Sequence, residues 1–142
     1  MRADEADKAD GSDEGDRDTG KRPLMGQAAC DFADMVIITD DNPRAEDPAA
    51  IRAALLEGAR SAISDGTARV RPERLLELSP RGEAIARAVE YAGDAGVLLV
   101  AGKGHETGQE IAGRVLPFDD RERTREAVAS QAARAATGRV QD

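Results

Sequence analysis

Two short clusters in this 142-residue chain hold the side chains that chemistry would need. One is Asp40-Asp-Asn-Pro-Arg44 and the other is Gly102-Lys-Gly-His-Glu106. Together they offer Arg44 and Lys103 as cations, with Asp40, Asp41 and Glu106 as anions. Their glycines allow a backbone to approach a ligand closely. Each cluster follows a short aliphatic run, Met35-Val-Ile-Ile-Thr39 in one case and Val97–Ala101 in the other. Such runs suit strands buried on both faces. Parallel strands would deliver both clusters to one edge of a sheet, and open α/β sheets bind ligands beyond the carboxyl ends of their strands. Mixed charge at that edge suits a zwitterion such as an amino acid. The plainer alternative is that both clusters are ordinary strand-to-helix loops.

Other chemistries find less support. Gly15-Asp-Arg-Asp-Thr-Gly20-Lys21-Arg22 follows phosphate-loop spacing until its last position, where Arg22 and then Pro23 stand in place of a magnesium-binding Ser or Thr. No apolar strand precedes it. Gly102-Lys103-Gly104 is too short for either common phosphate-binding pattern. His105 is the sole histidine and has no cysteine beside it, so it reads as a structural hydrogen-bonding group. The single cysteine, Cys30, excludes an intrachain disulfide and a multi-cysteine zinc site, and it reads as a small buried hydrophobe in a helix. Arg69, Arg71 and Arg74 read as a solvated surface.

The elements that must position the two clusters follow from periodicity and punctuation. Lys21 to Phe32 forms a helix whose apolar face is Leu24, Met25, Ala28, Ala29 and Phe32. Asp47 can cap a second helix and Pro48 suits its first position, with Ile51, Leu55, Ala59 and Ala62 along one face. Leu75–Leu78 is a short strand. Ser79-Pro80 repeats the cap-and-proline start, followed by Ile85, Ala88, Val89 and Ala92. Gly96–Ala101 is a buried strand, and Glu110 to Phe118 a strand or hairpin. Asp119 or Asp120 caps a last helix reaching about Ala136, after which residues 138–142 fray. This alternation predicts an α/β fold, Rossmann-like, with a mostly parallel sheet and helices on both faces.

Composition narrows the setting. Residues 1–20 hold eight acids and three bases, more than half of the net −8, so the body is only mildly acidic and nucleic acid is not an expected partner. Residues 1–14 have no apolar run and read as a disordered head. No stretch approaches the ~20 apolar residues of a membrane span, and the acidic start lacks a signal-peptide layout, so a cytoplasmic protein is expected.

Three motifs then carry a resemblance. They are Gly15-Asp-Arg-Asp18 with Gly20-Lys-Arg-Pro-Leu-Met-Gly26, Asp41-Asn-Pro-Arg44-Ala-Glu-Asp-Pro48, and Ala101-Gly-Lys-Gly-His-Glu106. In this order and at these spacings they resemble the C-terminal, third domain of the Mur ligases, over residues 15–137. The Asp-Asn-Pro-Arg form resembles the branch that adds diaminopimelate to the peptidoglycan stem peptide. The resemblance implies binding of meso-diaminopimelate by Arg17, Asp41, Asn42, Arg44, Gly102 and Glu106. It implies no catalytic residue and no metal ligand within this chain. ATP, Mg2+ and the UDP-muramoyl-dipeptide would be held mainly by two further domains of the full enzyme, so the chain alone is expected to be inactive. The family's first strand, just before Gly15, is replaced here by the acidic head. The alternative is a non-catalytic module that binds a small zwitterion or docks on a separate ligase chain.

Overall fold

The computed structural model describes residues 20–140, with side chains to residue 138. Arg17 and the acidic head at 1–14 lie outside the described residues. The elements are α1 (Lys21–Phe32), β1 (Val36–Ile38), α2 (Pro48–Ser64), a 3-10 turn (Pro72–Arg74), β2 (Leu75–Glu77), α3 (Arg81–Ala92), β3 (Gly108–Ile111), β4 (Arg114–Pro117) and α4 (Asp120–Val140). The α/β alternation is the expected one. The chain divides into two compact units: the first runs to Val36 and resumes over Ala53–Leu75, and the second comprises Ile37–Arg52 and everything from Leu76 onward.

In the first unit, α1 spans the predicted residues but buries a different face. Gly26 and Cys30 point inward, whereas Leu24, Met25 and Phe32 are exposed, Phe32 by 83%. The cause is a close helix crossing. A Cβ on Gly26 would lie 1.9 Å from the Leu55 carbonyl oxygen, and one on Gly58 would lie 1.7 Å from that of Pro23. The two backbones touch where only glycine fits, so the large apolar side chains of α1 turn away. Cys30, Val36, Leu56, Ala59, Ala62 and Val70 fill the interior. The chain beyond α2 is tied back by the N–H groups of Arg69 and Val70, which donate to the Cys30 carbonyl at 2.8 and 3.1 Å. Burial, and secondarily the charge of Asp31, push the Cys30 thiol up, as expected of an inert, packed cysteine.

In the second unit, β1 pairs with β2, and the Leu78 N–H reaches the Ile38 carbonyl at 3.0 Å. The start of α2 is as predicted, with the Ala49 N–H donating to Asp47 Oδ1 at 3.1 Å. Helix α3 begins at Arg81 with no side-chain cap. Ser79 does not cap it; its hydroxyl donates instead to Asp40 Oδ2 at 3.3 Å. Helix α3 buries Ala84, Ile85 and Val89 and packs against α4. Strands β3 and β4 form an antiparallel hairpin in which Ile111 faces Arg114. Its two-residue turn places Ala112 at φ 51° and Gly113 at φ 79°, the positive values that a tight hairpin of this twist requires. Helix α4 is capped by Asp119, whose Oδ1 accepts the N–H groups of Arg121 and Glu122 at 2.9 and 3.4 Å. It continues to Val140, past the expected end near Ala136.

The expected strand at Gly96–Ala101 is absent as a strand. Val97 is 96% and Leu99 84% exposed, and the segment joins no ladder among the described residues. An aliphatic run becomes a strand only when a neighbour satisfies its N–H and C=O groups, and among the described residues none does so for Val97–Val100. An isolated parallel bridge joins Arg44 and Ile111.

Candidate functional site

The second unit brings the two sequence clusters together. After β1 the chain enters Asp41-Asn42-Pro43-Arg44, which docks on the β3–β4 hairpin through both backbone groups of Arg44. Its N–H donates to the Glu110 carbonyl at 2.7 Å, and its carbonyl accepts from the Ala112 N–H at 2.9 Å. Arg44 adopts φ 56°, a left-handed conformation that costs a non-glycine residue about 1 kcal/mol. Its guanidinium is exposed and makes no hydrogen bond or ion pair among the described residues. The loop is held twice more: the Glu110 N–H donates to Asn42 Oδ1 at 2.6 Å, and Gln109 Nε2 donates to the Asp41 carbonyl at 2.8 Å.

The second loop meets the first at two points. Asn42 Nδ2 donates to Glu106 Oε2 at 3.4 Å. Gly102, at φ 108°, lies so close to Asp41 that a Cβ there would come within 2.7 Å of its Oδ2. Of the six expected ligand residues, Asp41, Asn42, Gly102 and Glu106 therefore converge, and Arg44 stands on the same loop with its side chain unengaged. Arg17 lies outside the described residues.

The charges sort differently from the sequence reading. Asp40 is not available to a ligand, because its carboxylate pairs with Arg52 and accepts from Ser79. Lys103 is not a presented cation either. It is 2% exposed, its ammonium donates to the Gly108 carbonyl, and it lies 4.0 Å from Glu106 Oε2. Buried there, it closes the Gly102–Glu106 loop from beneath. His105 is exposed and makes no hydrogen bond among the described residues, contrary to the structural role expected of it. Arg44, His105 and the outer part of Glu106 are exposed, and Asp41 is half-buried between them and the interior. The Asp41 carboxyl is held above its ordinary value chiefly by burial, with Glu106 and Asp120 adding to the rise and Arg81 and Lys103 opposing it. Its Oδ1 is buried without a hydrogen-bond partner among the described residues. A buried acceptor left unpaired, next to a second carboxylate, is a place where a cation would be stabilised.

Two residues that the sequence reading passed over support this arrangement. Arg81, at the first position of α3, is 4% exposed and forks onto Asp120, with Nε to Oδ1 and Nη2 to Oδ2 both at 2.7 Å. It also reaches the carbonyls of Asp40 and Ala101. A Ser-Pro-Arg start and an Asp-Asp pair are common helix openings, so nothing local marked the two as partners. Among the described residues no group of three or more His, Cys, Asp or Glu could hold a metal ion.

A mixed α/β domain that gathers Asp-Asn-Pro-Arg against Gly-Lys-Gly-His-Glu defines a class, and comparison with known proteins identifies it. The chain belongs to the Mur ligase family: residues 12–104 match the model for the Mur ligase, glutamate ligase domain, whose enzymes are ATP-dependent ligases. Among its relatives is the UDP-N-acetylmuramoyl-L-alanyl-D-glutamate--2,6-diaminopimelate ligase of Corynebacterium efficiens, 51% identical over 114 residues, or 80% of this chain and 21% of the relative. Proteins of the same name from Bradyrhizobium diazoefficiens and Caulobacter vibrioides are 50% and 53% identical over 84% and 75% of this chain, covering 22% and 19% of their own lengths. A solved structure of a ligase of this name superposes with a TM-score of 0.65 at 42% identity, over 83% of this chain and 22% of that one. The chain therefore spans about a fifth of the length of the relatives it matches, in agreement with the C-terminal portion expected from its motifs.

Proposed function

We propose that this chain is the amino-acid-binding portion of an ATP-dependent ligase that joins meso-diaminopimelate to UDP-N-acetylmuramoyl-L-alanyl-D-glutamate in the cytoplasm. The observation that carries the reading is that Arg44, whose guanidinium meets no partner among the described residues, stands on the same loop as the partly buried Asp41 and as Asn42, which donates to Glu106 of the second loop. Diaminopimelate has an amino-acid group at each end, and only one amine reacts. Arg44 receives the distal carboxylate through two parallel charged hydrogen bonds. The carboxylates of Asp41 and Glu106 receive the distal ammonium, with Asn42 orienting Glu106 and Gly102 allowing the close approach. Arg17 is the sixth contact of this reading. Lysine lacks the distal carboxylate, so its binding would leave Arg44 without its partner.

In family enzymes ATP would supply the phosphoryl group that activates the acceptor carboxylate for attack by the amine; the residues assigned here bind and orient. Their contribution to rate is positional, through a nucleophile fixed in reach of its target. Titration of the full chain with meso-diaminopimelate and with L-lysine, followed calorimetrically, tests the proposal. Diaminopimelate is expected to bind at least tenfold more tightly. Equal affinity, or no binding of either, would overturn it.

A further inference from the structure

We infer that Arg81, held by Asp120, is a positioning residue that sets the distance between the two ligand-bearing loops. Its Nη1 donates to the carbonyl of Asp40 at 3.1 Å and its Nη2 to the carbonyl of Ala101 at 2.9 Å. Asp40 is the residue immediately before Asp41, and Ala101 the residue immediately before Gly102. One planar group therefore grips both loops at their points of departure. The fork to Asp120 fixes the plane of that group, since two parallel bonds leave a guanidinium little freedom to rotate. The side chains of Arg81 and Asp120 are 3% and 7% exposed, so water does not compete for these bonds.

The need for such a tie follows from what else is present. Among the described residues Gly96–Ala101 joins no ladder, and none of them offers sheet hydrogen bonds to the base of the Gly102 loop. The Arg81 bond to Ala101 takes their place. The positive charge of Arg81 also opposes the burial of Asp41, which keeps that carboxyl ionisable beside the ligand. An ammonium cannot do the same work: lysine would bring charge but not three donors in one plane.

The inference rests on reading the two loops as one amino-acid site, and its test separates the two. Amide hydrogen exchange is measured along the full chain for the wild type and for Arg81→Lys, Arg81→Met and Asp120→Asn, alongside meso-diaminopimelate titration. Asp120→Asn leaves both carbonyl bonds possible and guards against a variant that fails to fold. Exchange in both the Asp41–Arg44 and Gly102–Glu106 segments is expected to quicken at least tenfold in all three variants, with α1 and the distal part of α2 unchanged. Lysine is expected to be no better than methionine, and affinity is expected to fall about tenfold in Asp120→Asn. Response of one loop alone, restoration by lysine, or wild-type exchange in Asp120→Asn each overturns the inference. Failure of the wild type to bind diaminopimelate would instead overturn the functional reading, while the exchange data would still decide the role of Arg81.

Discussion

Asn42 and Glu106 are 64 positions apart in the chain, yet the amide of one donates to the carboxylate of the other at 3.4 Å. Asn42 also accepts the Glu110 N–H at 2.6 Å, so it is anchored on one side while it steers Glu106 on the other. The pair joins the two loops from above, and the Arg81 guanidinium joins them at their bases. The Arg44 guanidinium meets no partner among the described residues.

Arg44→Ala is therefore expected to weaken meso-diaminopimelate binding by roughly 2–4 kcal/mol, because a charged bidentate contact is lost and the ligand carboxylate is left unpaired. Arg44→Lys should be nearly as poor. Arg44→Gly separates binding from folding: it relieves the φ of 56° and should leave the melting temperature equal or higher while binding is lost. Calorimetry paired with thermal melting reads both, and a loss of lysine binding as large as that of diaminopimelate would contradict the specificity role.

Asp41 makes a prediction about pH. Its carboxyl is raised by burial, so the folded chain holds its proton to higher pH than the unfolded chain does. Folded protein then binds more protons than unfolded protein over that interval, and stability falls as pH rises through it. Asp41→Asn should stabilise the chain at neutral pH and make little difference below the ordinary carboxylate range. A ligand ammonium favours the ionised form, so wild-type affinity should climb from pH 4 to pH 7, and the climb should be absent in the variant. Melting and titration at the two pH values check both halves.

Gly58→Ala should cost roughly 3 kcal/mol, the upper end for overpacking, because the new methyl would meet the Pro23 carbonyl rather than a side chain that can move. Gly66→Ala makes a local comparison, since a Cβ there meets nothing within 4 Å and only its φ of 75° is strained. Urea denaturation should rank Gly58→Ala as the more damaging; the opposite order would show that the helix crossing is looser than described.

Val97 and Leu99 present to solvent an apolar segment that joins no ladder among the described residues, the kind of edge that invites pairing between chains. The purified chain is expected to self-associate at high concentration. Leu99→Lys should shift it toward monomer in sedimentation experiments, since a charge on an edge disfavours such pairing. A wild type that stays monomeric throughout would count against this expectation.

Much of this was legible in the residues, and what was not has identifiable causes. The span of α1, the cap at Asp47 and the hairpin near Glu110 each depend on local signals, and they stand where those signals put them. The apolar face of α1 was misread because periodicity scores Gly26 as nothing, although it is glycine that lets α2 in. Gly96–Ala101 has the composition of a strand, but a strand also needs a partner, and composition is silent about partners. The two loops could be named as a site from their position after aliphatic runs. Which charges face a ligand could not, because Asp40 is claimed by Arg52 and Lys103 by the Gly108 carbonyl, and neither pairing leaves a mark in the sequence.

The crossing of α1 and α2 also constrains how this unit can change over time. At Gly26 and Gly58 the opposing surface is a carbonyl, which every amino acid carries in the same place. A larger residue at either position has no compensating substitution across the interface, since no exchange of side chains removes an oxygen from the main chain. Suppressors of such a mutation would have to shift a whole helix. Directed evolution of this unit should therefore find its gains elsewhere, on the exposed Leu24, Met25 and Phe32 side of the same helix, where side chains can still be traded.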